Sequence, residues 1–358
     1  MATIAEVAEA AGVSISTVSY ALSGKRSIKP ATRDKVLAVA QELGYVPHAS
    51  ARMLAAQRTQ IIAVSEPVHP DTDDTAHMTF AMETTKAARA ANYDTLLLVH
   101  DDAVEGMARS AGTGLTDGII VLDVDEDDPR VALSRTLACP TVFIGLPADT
   151  DGLICVDLDF EEAAARAVDM LVDAGHRAIG LISHREETLE RGSNFPRRFR
   201  RAFERRAAER GVDHATVYPR GHTADGPVRR LLEQLPDLDG VVLNTTADVA
   251  ATLSANLELH GRVVPRDVSV IAAGVSFSTA RFRVPFDTMP LDARASCAAA
   301  MELLVEAIES HAPTPQIRLL RAEYRDAGSV IVRNGAPPPV APETPGEAAP
   351  DDAPALQP

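Results

Sequence analysis

The helix-forming stretch that follows Gly12 carries hydroxyl, aliphatic and aromatic side chains at its exposed start. An aliphatic side chain such as Ile15 can contact the methyl group of thymine, and a hydroxyl such as that of Ser16 can bond either kind of base edge. Tyr20 lies one turn further on and can reach a base or a phosphate, while the neighbouring hydroxyls suit phosphate oxygens. These residue types predict a surface that reads the major groove of double-stranded DNA. The candidate contacts in this stretch are Ser14, Ile15, Ser16, Thr17, Ser19 and Tyr20.

The distribution of charge favours the same place for DNA binding. The chain has a formal net charge of −16, yet residues 1–60 contain seven Lys and Arg against four Asp and Glu. Because phosphates repel the acidic remainder, only the N-terminal part is expected to dock on DNA. Lys25 and Arg26 follow the candidate helix in a loop and are predicted to lie beside the phosphate backbone.

Residues 1–46 are predicted to form three short helices with one shared core. Thr3–Glu6 is a capping-box pattern, Gly12 interrupts the first helix, and Pro30 begins the third. Two short helices joined by a glycine turn, with a third across them, form a helix-turn-helix arrangement. The alternative is a small helical domain whose exposed face carries these side chains without reading DNA. The expected core residues are Ile4, Val7, Val13, Val18, Leu22, Val36 and Leu43.

From Ile61 the sequence alternates continuous apolar runs with amphipathic helices. Such runs are typical of parallel strands that are covered on both faces. There are too many of them for one sheet, so we predict two doubly wound parallel-sheet α/β subdomains. Residues 335–358 are rich in Pro, Ala and acidic residues and are predicted to form a disordered tail.

No residue pattern predicts a metal, a cofactor or a catalytic group. The carboxylates of 123–128 lack the glycine and the final glutamate of a calcium loop, so we expect a solvated loop. His176 and His184 have no metal-ligating partner at suitable spacing. The three cysteines are far apart in apolar surroundings and are predicted to be small buried residues in a reducing compartment. They are Cys139, Cys155 and Cys297.

The sequence also bears on cellular location. The N-terminus has no basic segment followed by an apolar run, as a signal peptide would have. No apolar stretch approaches the roughly 18 residues of a membrane span. We therefore expect a cytoplasmic protein with no membrane partner.

The N-terminal fifty residues closely resemble the headpiece of the LacI/GalR family of transcription regulators. The resemblance rests on AGVSISTVS in the first turn and second helix, ATRDKVLAVAQELGY in the third helix, and PHASARML beyond it. It implies that Ile15, Ser16 and Tyr20 occupy base-reading positions with Arg26 nearby. Many members have Arg or His where Tyr20 stands, so the operator sequence does not carry over. Lys29 stands where a serine often caps the third helix, so the side-chain cap is lost and a phosphate contact is expected in its place.

Residues 47–60 resemble the hinge of the same family. A segment as short as 49–56 is expected to be frayed in isolation. The resemblance implies that it folds in the minor groove beside its dimer partner, with Leu54 wedged into a central base step, which costs a few kcal/mol of stacking. The alternative for Leu54 is a partly buried linker leucine. The candidate contacts of this segment are Ser50, Arg52 and Leu54.

Residues 61–332 resemble the periplasmic-binding-protein-like effector domain of the family, so the predicted fold is an all-α helix-turn-helix headpiece plus this α/β domain. The resemblance implies two subdomains with a ligand cleft between them, at the carboxyl ends of the strands. The predicted subdomain ranges are about 61–158 with 291–318, and about 161–288 with 322–332. The chain is expected to cross between them near Leu158–Phe160, Met289–Leu291 and Leu319–Ala322.

The sugar-binding pattern of the family is altered here. Gly274 stands where an Asp often holds ligand hydroxyls, Phe195 stands where an Arg is common, and the usual Asn-Asp pair reads NTTAD from Asn244. Losing these groups removes much of the polar set that orients a sugar. We therefore expect a less polar or differently shaped effector, or none. The candidate cleft residues are Glu66, His69, Asp123, Asp157, Phe195, Asn244, Gly274 and Phe277.

These observations predict a homodimeric, sequence-specific regulator of transcription, acting as a repressor on a pseudo-palindromic operator. A small-molecule effector of unassigned class is expected in the cleft. One alternative is a solute-binding module without DNA function. The other is an enzyme that acts on a sugar or nucleotide, which would need an acid–base pair in the cleft.

Overall fold

The computed structural model describes residues 2–23, 28–45, 58–67, 69, 74–99, 103–310 and 314–333. Its N-terminal part consists of three helices, which are α1 (Ile4–Ala11), α2 (Ile15–Ser23) and α3 (Pro30–Glu42). The capping box of α1 is formed, since Glu6 and Thr3 each bond the other's backbone N–H, at 2.6 and 3.3 Å. Gly12 takes the left-handed conformation at φ 64°, which ends α1 and turns the chain into α2.

One small core joins the three helices. Val7, Val18 and Val36 are fully buried, together with alanines from all three helices. The prediction that Leu43 belongs to this core was wrong, because its side chain is 40% exposed. Leu43 is the C-terminal cap of α3, so it lies beyond the last turn that packs against the other two helices.

The first α/β unit, hereafter the first lobe, is built on a six-stranded parallel sheet in the order β11-β5-β4-β3-β1-β2. Ile62 and Val64 face one layer of helices, and Ala63 between them faces the other, as the two-residue repeat of a strand requires. Its strands are β1 (Ile61–Ser65), β2 (Asp94–Leu98), β3 (Gly118–Val121), β4 (Thr141–Ile144), β5 (Ile154–Leu158) and β11 (Gln316–Leu320). Its helices are α4 (Asp74–Ala90), α5 (Ala103–Gly112), α6 (Pro129–Ser134) and α12 (Ala293–Ser310).

The second α/β unit, hereafter the second lobe, has a five-stranded parallel sheet in the order β10-β9-β8-β6-β7. Phe199 and Phe203 are fully buried between two of its helices and the sheet. Its strands are β6 (Ala178–Ile182), β7 (Asp213–Val217), β8 (Gly240–Leu243), β9 (Ser269–Val275) and β10 (Asp287–Pro290). Its helices are α7 (Phe160–Asp173), α8 (Glu186–Arg191), α9 (Asn194–Glu209), α10 (Asp225–Gln234) and α11 (Ala247–Leu259).

The predicted fold class is confirmed: a helix-turn-helix unit precedes two parallel-sheet α/β lobes. The chain passes from one lobe to the other after β5, after β10 and after β11. The domain boundaries given above stay predictions. Most of the predicted hinge and the whole predicted tail lie outside the described residues.

The prediction that residues 123–128 form a solvated loop was wrong. Asp128 is 6% exposed, and its carboxylate bonds the guanidinium of Arg130, which is itself 2% exposed, at 2.7 Å. The side chain of Asp123 is 7% exposed. The second lobe covers this loop with residues more than sixty positions further along the chain, so local spacing gave no sign of its burial.

Candidate functional site

The candidate DNA-reading surface is the start of α2. Ile15 is 51% exposed, and Ser14 and Ser16 are exposed beside it. The Ser14 hydroxyl accepts the backbone N–H of Thr17 at 3.2 Å, which caps the helix. The same hydroxyl lies 2.8 Å from the hydroxyls of Ser16 and Thr17. The helix therefore begins with a cluster of hydroxyls around one exposed aliphatic side chain.

The other candidate DNA contacts are either described by the structure or lie outside the described residues. Thr17, Ser19 and Tyr20 are half-buried on α2. Lys29 is exposed at the N-cap of α3 and makes no side-chain capping bond. The other candidate DNA contacts, Lys25, Arg26, Ser50, Arg52 and Leu54, lie outside the described residues.

A cleft with a cavity of about 160 Å³ lies between the two lobes, at the carboxyl ends of their strands. Six of the eight candidate cleft residues line it, namely Glu66, Asp123, Asp157, Phe195, Gly274 and Phe277. His69 does not line the cavity, but its Nε2 atom lies 3.9 Å from the carboxylate of Asp123, which does. Asn244 is fully buried behind Gly274 and donates from Nδ2 to the carbonyls of Ala273 and Gly274, at 3.0 and 3.3 Å.

Several lining residues were not predicted from the sequence. They include the aromatic residues Phe80, Phe160 and His184 and the polar residues Arg191, Ser193 and Thr245. The Phe160 and Phe195 ring centroids are 5.1 Å apart, and His184 meets Phe195 edge to face at 4.9 Å. Phe160 begins α7, two residues after the end of β5. It lies at a lobe crossing that the sequence did indicate, and this position was the one signal of its place in the cleft.

Gly274 has no room for a side chain in this structure. Its φ of +65° is unfavourable for other residues, and a Cβ atom would lie 2.9 Å from the Phe160 ring and 3.0 Å from Nδ2 of Asn244. The ring of Phe160 thus fills the space that a longer residue at position 274 would need.

Glu66 and His77 form a buried ion pair on the first-lobe wall of the cleft. Burial raises the pKa of Glu66 above its ordinary value, although the bond to His77 opposes this shift. Burial alone would lower the pKa of His77, but the bond to the Glu66 carboxylate leaves it raised. Each partner therefore depends on the other to stay charged inside the wall.

Asp157 and Arg198 form a second buried pair, with Nη1 of Arg198 at 2.5 Å from the Asp157 carboxylate. Arg198 also bonds both carboxylate oxygens of Glu161, at 2.8 and 2.6 Å. Burial raises the pKa of Asp157 to about 6, because the loss of water outweighs the attraction of Arg198.

The loop after β3 contacts the second lobe. We call these contacts, which join Asp123, Asp125 and Glu126 to Arg191, Gly192 and Arg197, the interlobe clamp. Nη1 of Arg191, at the end of α8, lies 3.0 Å from the Asp123 carboxylate and 3.1 Å from that of Asp125. The backbone N–H of Glu126 donates to the Gly192 carbonyl at 2.7 Å. The Glu126 carboxylate also pairs with Arg197 of α9. Charge pairs and backbone bonds thus join the lobes at one side of the cleft.

Two further findings concern the described residues. No group of three or more His, Cys, Asp or Glu side chains among them is arranged to hold a metal ion. Within the same ranges, every helix is too short or too polar to cross a membrane.

Comparisons with known proteins give the same two-part organisation. Residues 3–48 match the family described as bacterial regulatory proteins, lacI family, and residues 168–330 match a periplasmic binding protein-like domain. Catabolite control protein A of Priestia megaterium is 28% identical over 277 residues, which span 75% of this chain and 81% of the relative. The HTH-type transcriptional regulator AglR of Rhizobium meliloti is 28% identical over 334 residues, which span 89% and 91%. These relatives are regulators rather than enzymes.

Solved structures share the fold. A lac repressor dimer bound to operator and to the anti-inducer ONPF superposes with a TM-score of 0.76 at 18% identity, over 92% of this chain and 99% of that one. The complex of the transcriptional regulator CelR with cellobiose gives 0.62 at 22% identity, over 92% and 100%.

We predict that replacing Asp157 with Asn weakens the pH dependence of stability. Between about pH 4 and pH 6 the folded protein keeps a proton on Asp157 that the unfolded chain has released, so raising the pH lowers the free energy of unfolding. The difference between about 6 and the ordinary value of 3.8 corresponds to about 3 kcal/mol. In urea unfolding, the free energy of unfolding of Asp157→Asn should fall less than that of the wild type between about pH 4 and pH 6, by up to about 3 kcal/mol. Asp127→Asn, at an exposed position, should keep the wild-type fall, and an unchanged profile for Asp157→Asn would contradict the assignment.

We predict that Arg191→Met loosens the interlobe clamp. Losing hydrogen bonds to two carboxylates costs about 1.5–3 kcal/mol per charged bond, so the amide of Glu126 should exchange with solvent at least about tenfold faster. Native-state hydrogen exchange by mass spectrometry measures this. Arg205→Met is the control, since Arg205 is 61% exposed and pairs only at 3.9 Å with Glu209 of its own helix. Equal protection in both variants would show that Arg191 does not hold the lobes together.

Proposed function

We propose that this chain, a DNA-binding transcriptional regulator that belongs to the LacI family of bacterial regulatory proteins, acts in the cytoplasm as a homodimeric repressor. The observation that carries the proposal is the exposed start of α2, where Ile15 stands among the hydroxyls of Ser14 and Ser16. Side chains of this kind at the N-terminus of a second helix suit base edges in the major groove.

A dimer presents two such helices related by a two-fold axis. A target with two half-sites about one helical turn apart, or a multiple of that distance, follows from this symmetry, so we propose a pseudo-palindromic operator. Lys29, together with Lys25 and Arg26, is proposed to hold the helix in register through phosphates. Ser50, Arg52 and Leu54 are proposed to contact DNA from the hinge.

The cleft is proposed to bind a small-molecule effector that changes the affinity for operator DNA. The solved complex of the similar regulator CelR with cellobiose supports a ligand-binding role for a chain of this fold. The lining differs from the polar set that a sugar needs, since Phe195 and Gly274 contribute no hydrogen-bonding side chain. We therefore propose an effector that is less polar than an ordinary monosaccharide. Micromolar binding of such a sugar in a calorimetric screen would refute this.

An enzymatic role has less support. In the cleft, Glu66 is paired with His77 and Asp157 with Arg198, so these two carboxylates serve ion pairs rather than an acid–base couple. The relatives named above are regulators. Turnover assays with the lobes and common sugars or nucleotides should therefore show no product.

Selection of bound sequences from a random DNA pool tests the proposal directly. The purified full-length protein should enrich a sequence with two inverted half-sites at moderate ionic strength. Enrichment of no sequence over scrambled competitor, both with and without a cell metabolite extract, would refute a regulatory role.

We predict that Tyr20→Ala changes the base preference within each half-site. Removal of a base contact should cost about 1–3 kcal/mol on the wild-type sequence and relax selection at the position that Tyr20 contacts. Repeating the selection with the variant measures both effects. Gln41→Ala, at an exposed position on α3, should select the wild-type sequence. An unaltered preference for Tyr20→Ala would remove this residue from the base-reading set.

We predict that Leu54→Ala weakens operator binding and reduces the bend in the DNA. An apolar wedge between base pairs drives the bend, so the smaller side chain should leave the central step stacked. Gel-shift titration and energy transfer between dyes at the two operator ends measure the two effects. Met53→Ala is the matched control and should keep the bend. A wild-type bend with Leu54→Ala would count against the wedge.

A further inference from the structure

Aromatic side chains from both lobes line the cavity of the cleft. Phe80 comes from α4 of the first lobe, and Phe160, Phe195 and Phe277 come from the second lobe. Phe160 and Phe195 form a tilted pair with ring centroids 5.1 Å apart. Aromatic side chains favour an aromatic ring as the ligand, because stacked and edge-to-face aromatic pairs gain energy beyond the area they bury.

The charged side chains around the cavity pair with one another. Glu66 bonds His77, Asp123 bonds Arg191 at 3.0 Å, and Arg185 bonds Asp248 at 3.1 Å. Asp157 in turn bonds Arg198. Because each of these charges already has an opposite charge beside it, a charged ligand would lose its water without meeting an unpaired counter-charge, which is costly in a buried site. The cavity therefore favours a neutral ligand.

Four buried oxygen atoms in the wall have no hydrogen-bond partner among the described residues. One of them, Oδ2 of Asp123, still lies 3.0 Å from Nη1 of Arg191 in the interlobe clamp. The other three are Oε2 of Glu66, Oγ of Ser193 and Oγ1 of Thr245, in residues that are 5%, 0% and 3% exposed. A carboxylate oxygen only accepts hydrogen bonds, so the group that meets Glu66 must donate one. A hydroxyl is a neutral donor, and it also has lone pairs that a serine or threonine hydroxyl can bond. An aliphatic amine is excluded by the charge argument because it is protonated at neutral pH.

The size of the cavity limits the ligand to about one ring. Its volume of about 160 Å³ is close to the roughly 150 Å³ of an apolar cavity that accepts benzene.

We propose that the cleft binds a neutral molecule with a single aromatic ring and a hydroxyl substituent, of the phenol class, with its ring against Phe160 and Phe195 and its hydroxyl donating to Glu66. This inference rests on the proposed function, in which the cleft is the effector site.

Isothermal titration of the full-length protein with three probes tests the ligand class. Phenol should bind, anisole, whose methyl ether has no donor, should bind at least about tenfold more weakly, and glucose should give no heat at the same millimolar concentrations. Anisole binding as tightly as phenol, glucose binding more tightly than phenol, or no heat from phenol would each overturn the proposal.

Two variants locate the binding. Glu66→Met should remove the preference for phenol over anisole, and Phe195→Ala should weaken both by a similar factor. Glu302→Met is the control, because Glu302 is 68% exposed on α12, away from the cleft. A wild-type preference in Glu66→Met would overturn the assigned contact. If Glu66→Met does not fold, the three-probe comparison on the wild-type protein still decides.

Operator binding by the same preparation separates this inference from the proposed function. Sequence-specific binding of DNA together with no response to phenol would overturn the ligand class alone. Absence of sequence-specific DNA binding would overturn the proposed function, whatever the titrations give.

Discussion

The contact of Arg191 with Asp123 and Asp125 sets the geometry on which the rest of the cleft depends. One guanidinium of the second lobe bonds two carboxylates of the first at 3.0 and 3.1 Å. The backbone hydrogen bond from Glu126 to Gly192 fixes the same junction. Ser193 and Phe195 follow Gly192 closely in the chain and line the cavity, so the clamp helps to position them.

Burial explains why this cleft combines many charges with an apolar character. Asp157 lies against Arg198, yet burial raises its pKa to about 6, which shows that the loss of water exceeds the attraction of one cation. Glu66 behaves in the same way beside His77. The charged side chains of the cleft are paired with one another, so the groups left to contact the proposed ligand are the aromatic rings and a few oxygen atoms without hydrogen-bond partners. The replacement of polar groups at positions 195 and 274 fits this arrangement, since Phe160 occupies the space beside Gly274.

The sequence was sufficient to predict those features that depend only on residues close together in the chain. The capping box of Thr3 and Glu6, the turn at Gly12 and the apolar strands were all evident, because each depends on neighbours in sequence. The polar edge strand Asp213–Val217 was missed, since only its pairing with β6 reveals it. The loop 123–128 was misjudged for a similar reason: its partners Arg191 and Arg197 lie far along the chain. Six of the eight cleft residues proposed from the sequence line the cavity, most of them because they lie at or just after strand ends. The pairing of their charges was not foreseeable, because the partners are not neighbours in the sequence. Which of them bind an effector stays a prediction.

A ligand in the cleft can alter DNA binding only if it favours one of two arrangements of the lobes. The interlobe clamp joins the two lobes in this structure, so parting the lobes would have to break its contacts. The strand β1 leads from the cleft towards the predicted hinge. This strand runs without interruption from residues 61 to 65, and Glu66 follows it in the cavity wall. At its other end the backbone N–H groups of Thr59 and Gln60 donate to the Asp117 carboxylate, at 2.7 and 2.9 Å. The segment that leads from the hinge is therefore anchored to the same sheet that bears the cleft wall. A parallel sheet that is buried on both faces resists local deformation, so a shift of that wall would be passed on to the predicted hinge.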